Sequence, residues 1–181
     1  MQKDPPSVAG EGNRLHADVT RRDGAPSSLA PRPASLAPAF AGWQARVRDS
    51  FARQGAMALI GAALADVALG YCAIALVPRP EVSQQHGYVH AGILATLVDS
   101  AGGYAGFTLF PEDSSVLTVE YKLNLLAPAQ GERIVAEGFV VKPGRTLAIT
   151  RGEVHAEQGG QRTLVAIMQQ TLMVMRGKTD R

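Results

Sequence analysis

The stretch from Val89 to Phe110 carries a single formally charged side chain, Asp99, and Pro111 stops it. It is far longer than β-strands run, so its apolar continuity predicts a helix. The helix is apolar nearly all round and must be buried on most sides. Gly102, Gly103 and Gly106 each cost a helix roughly 1 kcal/mol against Ala. They make sense where something packs very close, such as a sheet wrapped around the helix. A chain with such an element must build the rest of its fold around it.

The flanking segments supply that wrapping. Residues 1–38 are rich in Pro, Ala, Ser, Gly and Arg and show no helical or strand period, which predicts a disordered tail. Acids among its arginines argue against an organelle transit peptide, and a start site set too far upstream is an alternative origin. Phe40, Trp43, Val47 and Phe51 recur at spacings of three and four, predicting a short amphipathic helix ending near Gly55. "ALIGAALADVAL" and "GYCAIALVP" then predict two strands parted near Gly70. After Pro111, Leu117, Val119, Tyr121, Leu123 and Leu125 alternate with Val116, Thr118, Glu120, Lys122 and Asn124, a strand period. "RIVAEGFVV" and "TLAITRGEVHA" flank "KPGR", where Pro143-Gly144 suits a type II turn. "EQGGQ" turns into a last strand, "RTLVAIMQQTLMVM". The expected architecture is α+β: an antiparallel sheet of hairpin-joined strands and one central helix. The folded domain should cover 39–176, with a short C-terminal tail at 177–181.

Composition narrows the function. The chain has 181 residues, 46% of them apolar, which fits one domain with a sizeable core. The net charge is only +2, and Lys and Arg form no stripe, so nucleic acid is not an expected partner. The one cysteine, Cys72, lies in an apolar run and reads as core. No His/Cys set has zinc spacing, so no metal site is expected. No uncharged segment reaches the ~20 residues of a membrane span, and the N-terminus lacks the apolar segment of a secretory signal. The expected location is cytoplasmic.

The chemistry concentrates in "QQHGYVHAGILATLVDS". If the helix starts near His90, its first amides, those of Ala91 and Gly92, have no intrahelical acceptor. They sit at the positive end of the helix dipole and can receive a carbonyl oxygen that gains charge. The alternative is an ordinary helix start capped by water. Asp99 follows His90 by nine residues, about 13 Å along the axis, so it cannot touch a carbonyl held by Ala91 of its own chain. A site using both needs two subunits with antiparallel helices, which a two-fold dimer supplies twice. The alternative for Asp99 is pairing with a structural Arg.

This pattern resembles the hotdog-fold acyl-CoA thioesterases, in particular the PaaI-like branch. There an Asn or Gln is followed three residues on by Gly, three more by His with Gly-Gly after it, and by Asp or Glu nine residues after the His. Here these positions are Gln84, Gly87, His90, Ala91, Gly92 and Asp99, and "TVEYKLNLLAPAQGE" matches the next strand. The likeness spans roughly residues 40–175. It implies a curved sheet wrapped round one helix, a homodimer or homotetramer with shared sites, and thioester hydrolysis with coenzyme A as part of the substrate and no separate cofactor. The Ala91 N–H would hold the carbonyl, and Asp99 would act as base or nucleophile. Gln84 would orient water or substrate, as in hydroxybenzoyl-type thioesterases. Thr118 would hold the water, unless it is there for strand propensity alone. His90 would brace the loop, while His86 reads as an exposed loop residue. Gly92 and Gly103 would line the substrate site. Lys142, Arg145 and Arg151 would meet phosphates, unless they simply solvate a turn. Ala91 departs from the family's usual Gly; it keeps the N–H, and its methyl would narrow the acyl pocket or limit the backbone angles. The acyl group, aryl or medium-chain, stays open. Two other readings are a non-catalytic acyl-CoA-binding module and a hotdog dehydratase, whose His-carboxylate motif is absent.

Overall fold

The computed structural model describes residues 36–179, so nearly all of the expected N-terminal tail lies outside the described residues. Two short helices, α1 (Trp43–Ala52) and α2 (Gly55–Ile60), precede strands β1 (Ala62–Ala68) and β2 (Tyr71–Leu76). A single 3₁₀ turn at Pro80–Val82 leads to the long helix α3 (Ala91–Phe107). Strands β3 (Ser114–Leu125), β4 (Arg133–Lys142), β5 (Leu147–Gln158) and β6 (Gln161–Arg176) complete the chain.

All six strands form one antiparallel sheet in the order β1-β2-β4-β5-β6-β3. Two details differ from the expected hairpin series. Strand β3 does not pair with β4; it crosses to the far edge and pairs with β6 alone. The segment "ALI" is not strand but the end of α2. There Gly61 adopts φ 72° and the Arg79 guanidinium binds the carbonyls of Leu59 and Ile60. Six residues were too few for a helical period to show.

The sheet bends around α3. Register shifts in β1, β3, β4 and β6 are bulges, each of which adds twist and curvature. Leu94, Leu97, Val98, Ala101, Tyr104, Ala105 and Phe107 of α3 are buried in the main core with Ile74, Leu76, Ile134, Val154 and Leu172. Close approach explains the helix glycines in two of three cases. A Cβ on Gly102 would strike the side chains of Gln170 and Thr150, and one on Gly106 would strike Leu172. Gly103 instead points into open space, with nothing within 4 Å of an added Cβ. From the other side, a Cβ on Gly138 of β4 would strike the backbone of Ala101 and Gly102, so helix and sheet touch main chain to main chain there.

The C-terminal end of α3 is fully accounted for. The carbonyls of Tyr104, Ala105 and Gly106 accept from Thr108 N, Thr108 Oγ1 and Leu109 N. The Phe107 carbonyl accepts from Arg46 Nη2 at 2.8 Å. The same guanidinium binds the carbonyls of Phe110 and Pro111 at 2.9 and 2.5 Å, and lies 4.0 Å from the Phe107 ring centroid. Arg46 thus supplies the positive charge a helix C-terminus favours.

The "EQGGQ" turn behaves as expected. Gly159 and Gly160 take φ 56° and 81° between paired Gln158 and Gln161, as a two-residue hairpin of the I′ kind requires. The "KPGR" turn is not type II, because Gly144 lacks the positive φ that type demands. Cys72 is fully buried, as expected, and burial pushes its thiol pKa up.

Candidate active site

The helix start collects the first group of predicted residues. His90 is the N-cap of α3, and its Nδ1 accepts the Gly92 N–H at 2.9 Å. The amide expected to be free at Gly92 is therefore engaged, because an imidazole can cap a helix as a Ser or Asp does. The Ala91 N–H finds no acceptor among the described residues and remains open to a ligand. Gln84 sits in the turn ahead of the helix, where its Oε1 accepts from His86 N at 2.8 Å. The amide nitrogen of Gln84 has no hydrogen-bond partner among the described residues. His86 is exposed on the loop, as expected. Gln84, Tyr88, His90, Ala91, Leu94 and Leu125 border a pocket of about 440 Å³.

The second group gathers two turns further along α3. Asp99 is only half-buried in this chain, not fully buried as its apolar surroundings in sequence imply. The reason is that the edge strand β3 leaves that side of the helix open. Thr118 Oγ1 donates to Asp99 Oδ1 at 2.8 Å. Gln170 Nε2 donates to the same oxygen, to the Asp99 carbonyl at 3.1 Å and to Thr118 Oγ1 at 3.0 Å. Thr150 Oγ1 donates to Gln170 Oε1 at 2.8 Å. No basic side chain pairs with Asp99 among the described residues.

Thr118 reaches Asp99 because of a bulge. Thr118 pairs with Leu172 and Glu120 with Thr171, so Val119 is an extra residue in β3. The strand alternation slips by one there. Thr118 and Tyr121, expected on opposite faces, both lie opposite helix-facing residues of β6, Leu172 and Gln170.

The predicted residues thus fall into two places: Gln84, His90 and Ala91 at the helix start, Asp99 and Thr118 along its flank. The pocket at the helix start does not include Asp99. Gly103, one turn beyond Asp99 on the same helix face, opens onto free space. Lys142 and Arg145 are exposed at the β4–β5 turn. That turn adjoins Leu147, which pairs with Met173 opposite Leu117, the row next to Thr118. Arg151 is committed elsewhere, to Glu153 at 2.6 Å on the sheet face turned away from the helix. Among the described residues no cluster of His, Cys, Asp and Glu is arranged to hold a metal.

Sequence reasoning missed Gln170 and Thr150. Met168, Gln170, Leu172 and Val174 are the buried, alternating positions of β6, so one amide in phase with an apolar series was a readable signal. It also missed a polar cluster on the outer sheet face. There Glu137 binds Tyr71 and Arg162, both at 2.8 Å, and His155 Nδ1 lies 3.5 Å from Glu137. Burial and the nearby Arg162 hold the His155 imidazole below its ordinary pKa. Burial and Glu137 push the Tyr71 phenol up.

Residues 86–163 match the family model described as the thioesterase superfamily. A solved thioesterase family protein from Silicibacter pomeroyi is 45% identical, with 75% of this chain covering 100% of that one at a TM-score of 0.74. The PaaI protein of the E. coli phenylacetic acid degradation operon is 15% identical, with 76% of this chain covering 96% of it at a TM-score of 0.67, a likeness of fold. A presumed esterase of Halobacterium salinarum is 32% identical over 101 residues, 52% of this chain and 66% of that protein. A Saccharolobus solfataricus relative is covered over 64% of its length. The chain therefore spans just under two thirds of the curated relatives it matches. One helix wrapped by a six-stranded antiparallel sheet is the hotdog fold. No helix among the described residues is long and apolar enough to cross a membrane.

Proposed function

The chain belongs to the thioesterase superfamily, and from that premise we propose that it hydrolyses an acyl-CoA thioester to a free acid and coenzyme A. The observation that carries this reading is the state of Asp99: a half-open carboxylate on an apolar helix, held by Thr118 and Gln170 and matched by no cation among the described residues. In the proposed reaction the Ala91 N–H receives the thioester oxygen as charge develops on it. Asp99 takes a proton from water as the water adds to the carbonyl, or itself adds to the carbonyl ahead of water. The C–S bond breaks, and the thiolate leaves to be protonated as free coenzyme A. Thr118 and the Gln84 amide nitrogen orient the water and the carbonyl. Lys142 and Arg145 meet the phosphates of coenzyme A. The acyl group is aryl or medium-chain, in keeping with the open space at Gly103 and the apolar side chains of β3.

The site is proposed to be complete only in a second copy of the chain. Leu117, Val119, Tyr121 and Leu125 of β3 are 48–55% exposed. A long apolar edge strand with unpaired backbone groups calls for a partner. Pairing about a two-fold axis brings Asp99 of one copy toward Ala91 and Gln84 of the other, bridging the ~13 Å that separates them on one helix.

Thiol release from phenylacetyl-, hydroxybenzoyl- and straight-chain CoA esters tests the reading. Asp99→Asn lowers turnover by at least ~10²-fold, the low end of a general base's contribution, and Gln84→Ala lowers it less. Mixing the two variants under subunit exchange creates one intact site per mixed dimer and returns activity toward about a quarter of wild type. Verified heterodimers that stay inactive overturn the shared site. Thermal protection by acyl-CoA without thiol release overturns the hydrolase in favour of a binding module.

A further inference from the structure

Gln170 is among the most buried polar side chains of the protein, at 2% exposure, and Thr150 is fully buried. A buried amide without partners is costly, yet this one is satisfied at both ends. Its oxygen accepts the Thr150 hydroxyl. Its nitrogen serves three acceptors: Asp99 Oδ1, the Asp99 carbonyl and Thr118 Oγ1. The orientation follows from charge, since a carboxylate accepts hydrogen bonds and rejects the amide oxygen. The Thr150 hydroxyl, donating from the other side, locks the amide in that sense.

The result is asymmetric at Asp99. Its Oδ1 receives both Thr118 and Gln170, while Oδ2 receives no donor from the described residues. One oxygen anchors the carboxylate to the sheet, and the other is left to react. The helix is shaped for this: any side chain at position 102 would occupy the space of the Gln170 amide and crowd Thr150 Oγ1 at 3.0 Å. Gly102, Thr150 and Gln170 come from three separate elements and meet at one amide.

We propose that Gln170, held by Thr150, is a positioning residue that pins Oδ1 of Asp99 and presents Oδ2 to the thioester or its attacking water. The inference rests on the thioesterase reading with Asp99 as the reacting group. It acts through orientation, so it belongs to the chemical step more than to substrate binding.

The test is steady-state kinetics with the acyl-CoA that wild type hydrolyses best. Gln170→Leu keeps the bulk, removes both ends of the amide, and lowers kcat by about 10²-fold, the scale of a small misplacement of a reacting group, with KM within about twofold. Thr150→Val removes only the lock and lowers kcat by about tenfold, while Thr150→Ser restores the hydroxyl and returns kcat to within about twofold of wild type. A purely structural role would lower the amount of folded enzyme and leave kcat per folded site unchanged, with Ser no better than Val. Should Gln170→Leu fail to fold, the Val and Ser pair at position 150 decides alone. If Asp99→Asn is inactive while Thr150→Val and Gln170→Leu keep full kcat, the inference is overturned and the thioesterase reading stands. A wild type that releases thiol from no ester overturns both.

Discussion

Replacing Arg46 by Ala removes the clamp at the C-terminus of α3, the helix that carries Asp99. The guanidinium binds the carbonyls of Phe107, Phe110 and Pro111 at 2.8, 2.9 and 2.5 Å. Hydrogen bonds to a charged partner contribute about 1.5–3 kcal/mol each, but three bonds to one side chain are not additive. The Pro111 carbonyl, at the start of an exposed loop, regains water after the substitution. The Phe107 carbonyl keeps only the long 3.3 Å bond from Phe110 N and, in a fully buried residue, regains little water. A charge at a partly buried helix end adds up to about 2 kcal/mol. Taking one buried bond in full and the rest at a discount, the loss is about 3 kcal/mol. For a chain of this size that is a fall in Tm of about 6–12 °C. Arg46→Lys keeps the charge without the planar fork and recovers less than half. Calorimetry at fixed protein concentration checks this, since self-association shifts Tm by mass action. A fall in Tm of less than about 2 °C for Arg46→Ala, under 1 kcal/mol, would refute the reasoning and show that water replaces the guanidinium at no cost.

Two further outcomes follow from packing and charge. The His155 imidazole is held below its ordinary pKa by burial and then by Arg162, against the pull of Glu137, Glu153 and Glu157. The unfolded chain therefore takes up its proton first, below about pH 6.5. The stability from a neutral His155 is present above that pH and is lost as pH falls from there toward the folded-state value. Urea midpoints of His155→Asn against wild type should show a flatter slope below about pH 6.5. An unchanged slope would show that the glutamates alone set it. Gly138→Ala places a methyl against the backbone of Ala101, which cannot yield as a side chain can. Urea unfolding should show a loss of at least about 1–3 kcal/mol, and a neutral outcome would mean α3 lifts from the sheet without penalty.

The central helix was legible because its apolar continuity, length and terminating Pro111 all agree, and the sequence run leaves a strand no room. The two sheet-facing glycines of the helix were legible in kind, since a poor helix former needs a packing reason, though which of the three met the sheet was not. Strand β3 was legible as a strand but not in its place at the sheet edge. Pairing partners are long-range, and nothing local to "SSVLTVEYKLNL" names β6 as its neighbour. The catalytic candidates were legible through spacing: His90, Ala91 and Asp99 lie on one helix, and rise per residue fixes their separation. Gln170 lies far along the chain and meets Asp99 only through sheet register, so spacing on one element could not reach it. Thr118 and Tyr121 were expected on opposite faces because alternation is assumed unbroken, and one extra residue, Val119, breaks it. The polar cluster around Glu137 joins four strands and was hidden for the same reason as Gln170.

That extra residue makes β3 a strand in which counting matters more than chemistry. Val119 pairs with nothing across the ladder, and it is half exposed, so many side chains can stand there. Removing it is another matter. Every position on one side of the deletion would turn over relative to the other, carrying Thr118 away from Asp99 or Tyr121 and Leu123 away from the helix. A site built this way tolerates changes of spelling at position 119 and no change of frame. In a lineage of such chains, loops would vary in length while β3 kept its residue number fixed. Anyone grafting this strand into another scaffold would have to transplant the miscount together with the residues it serves.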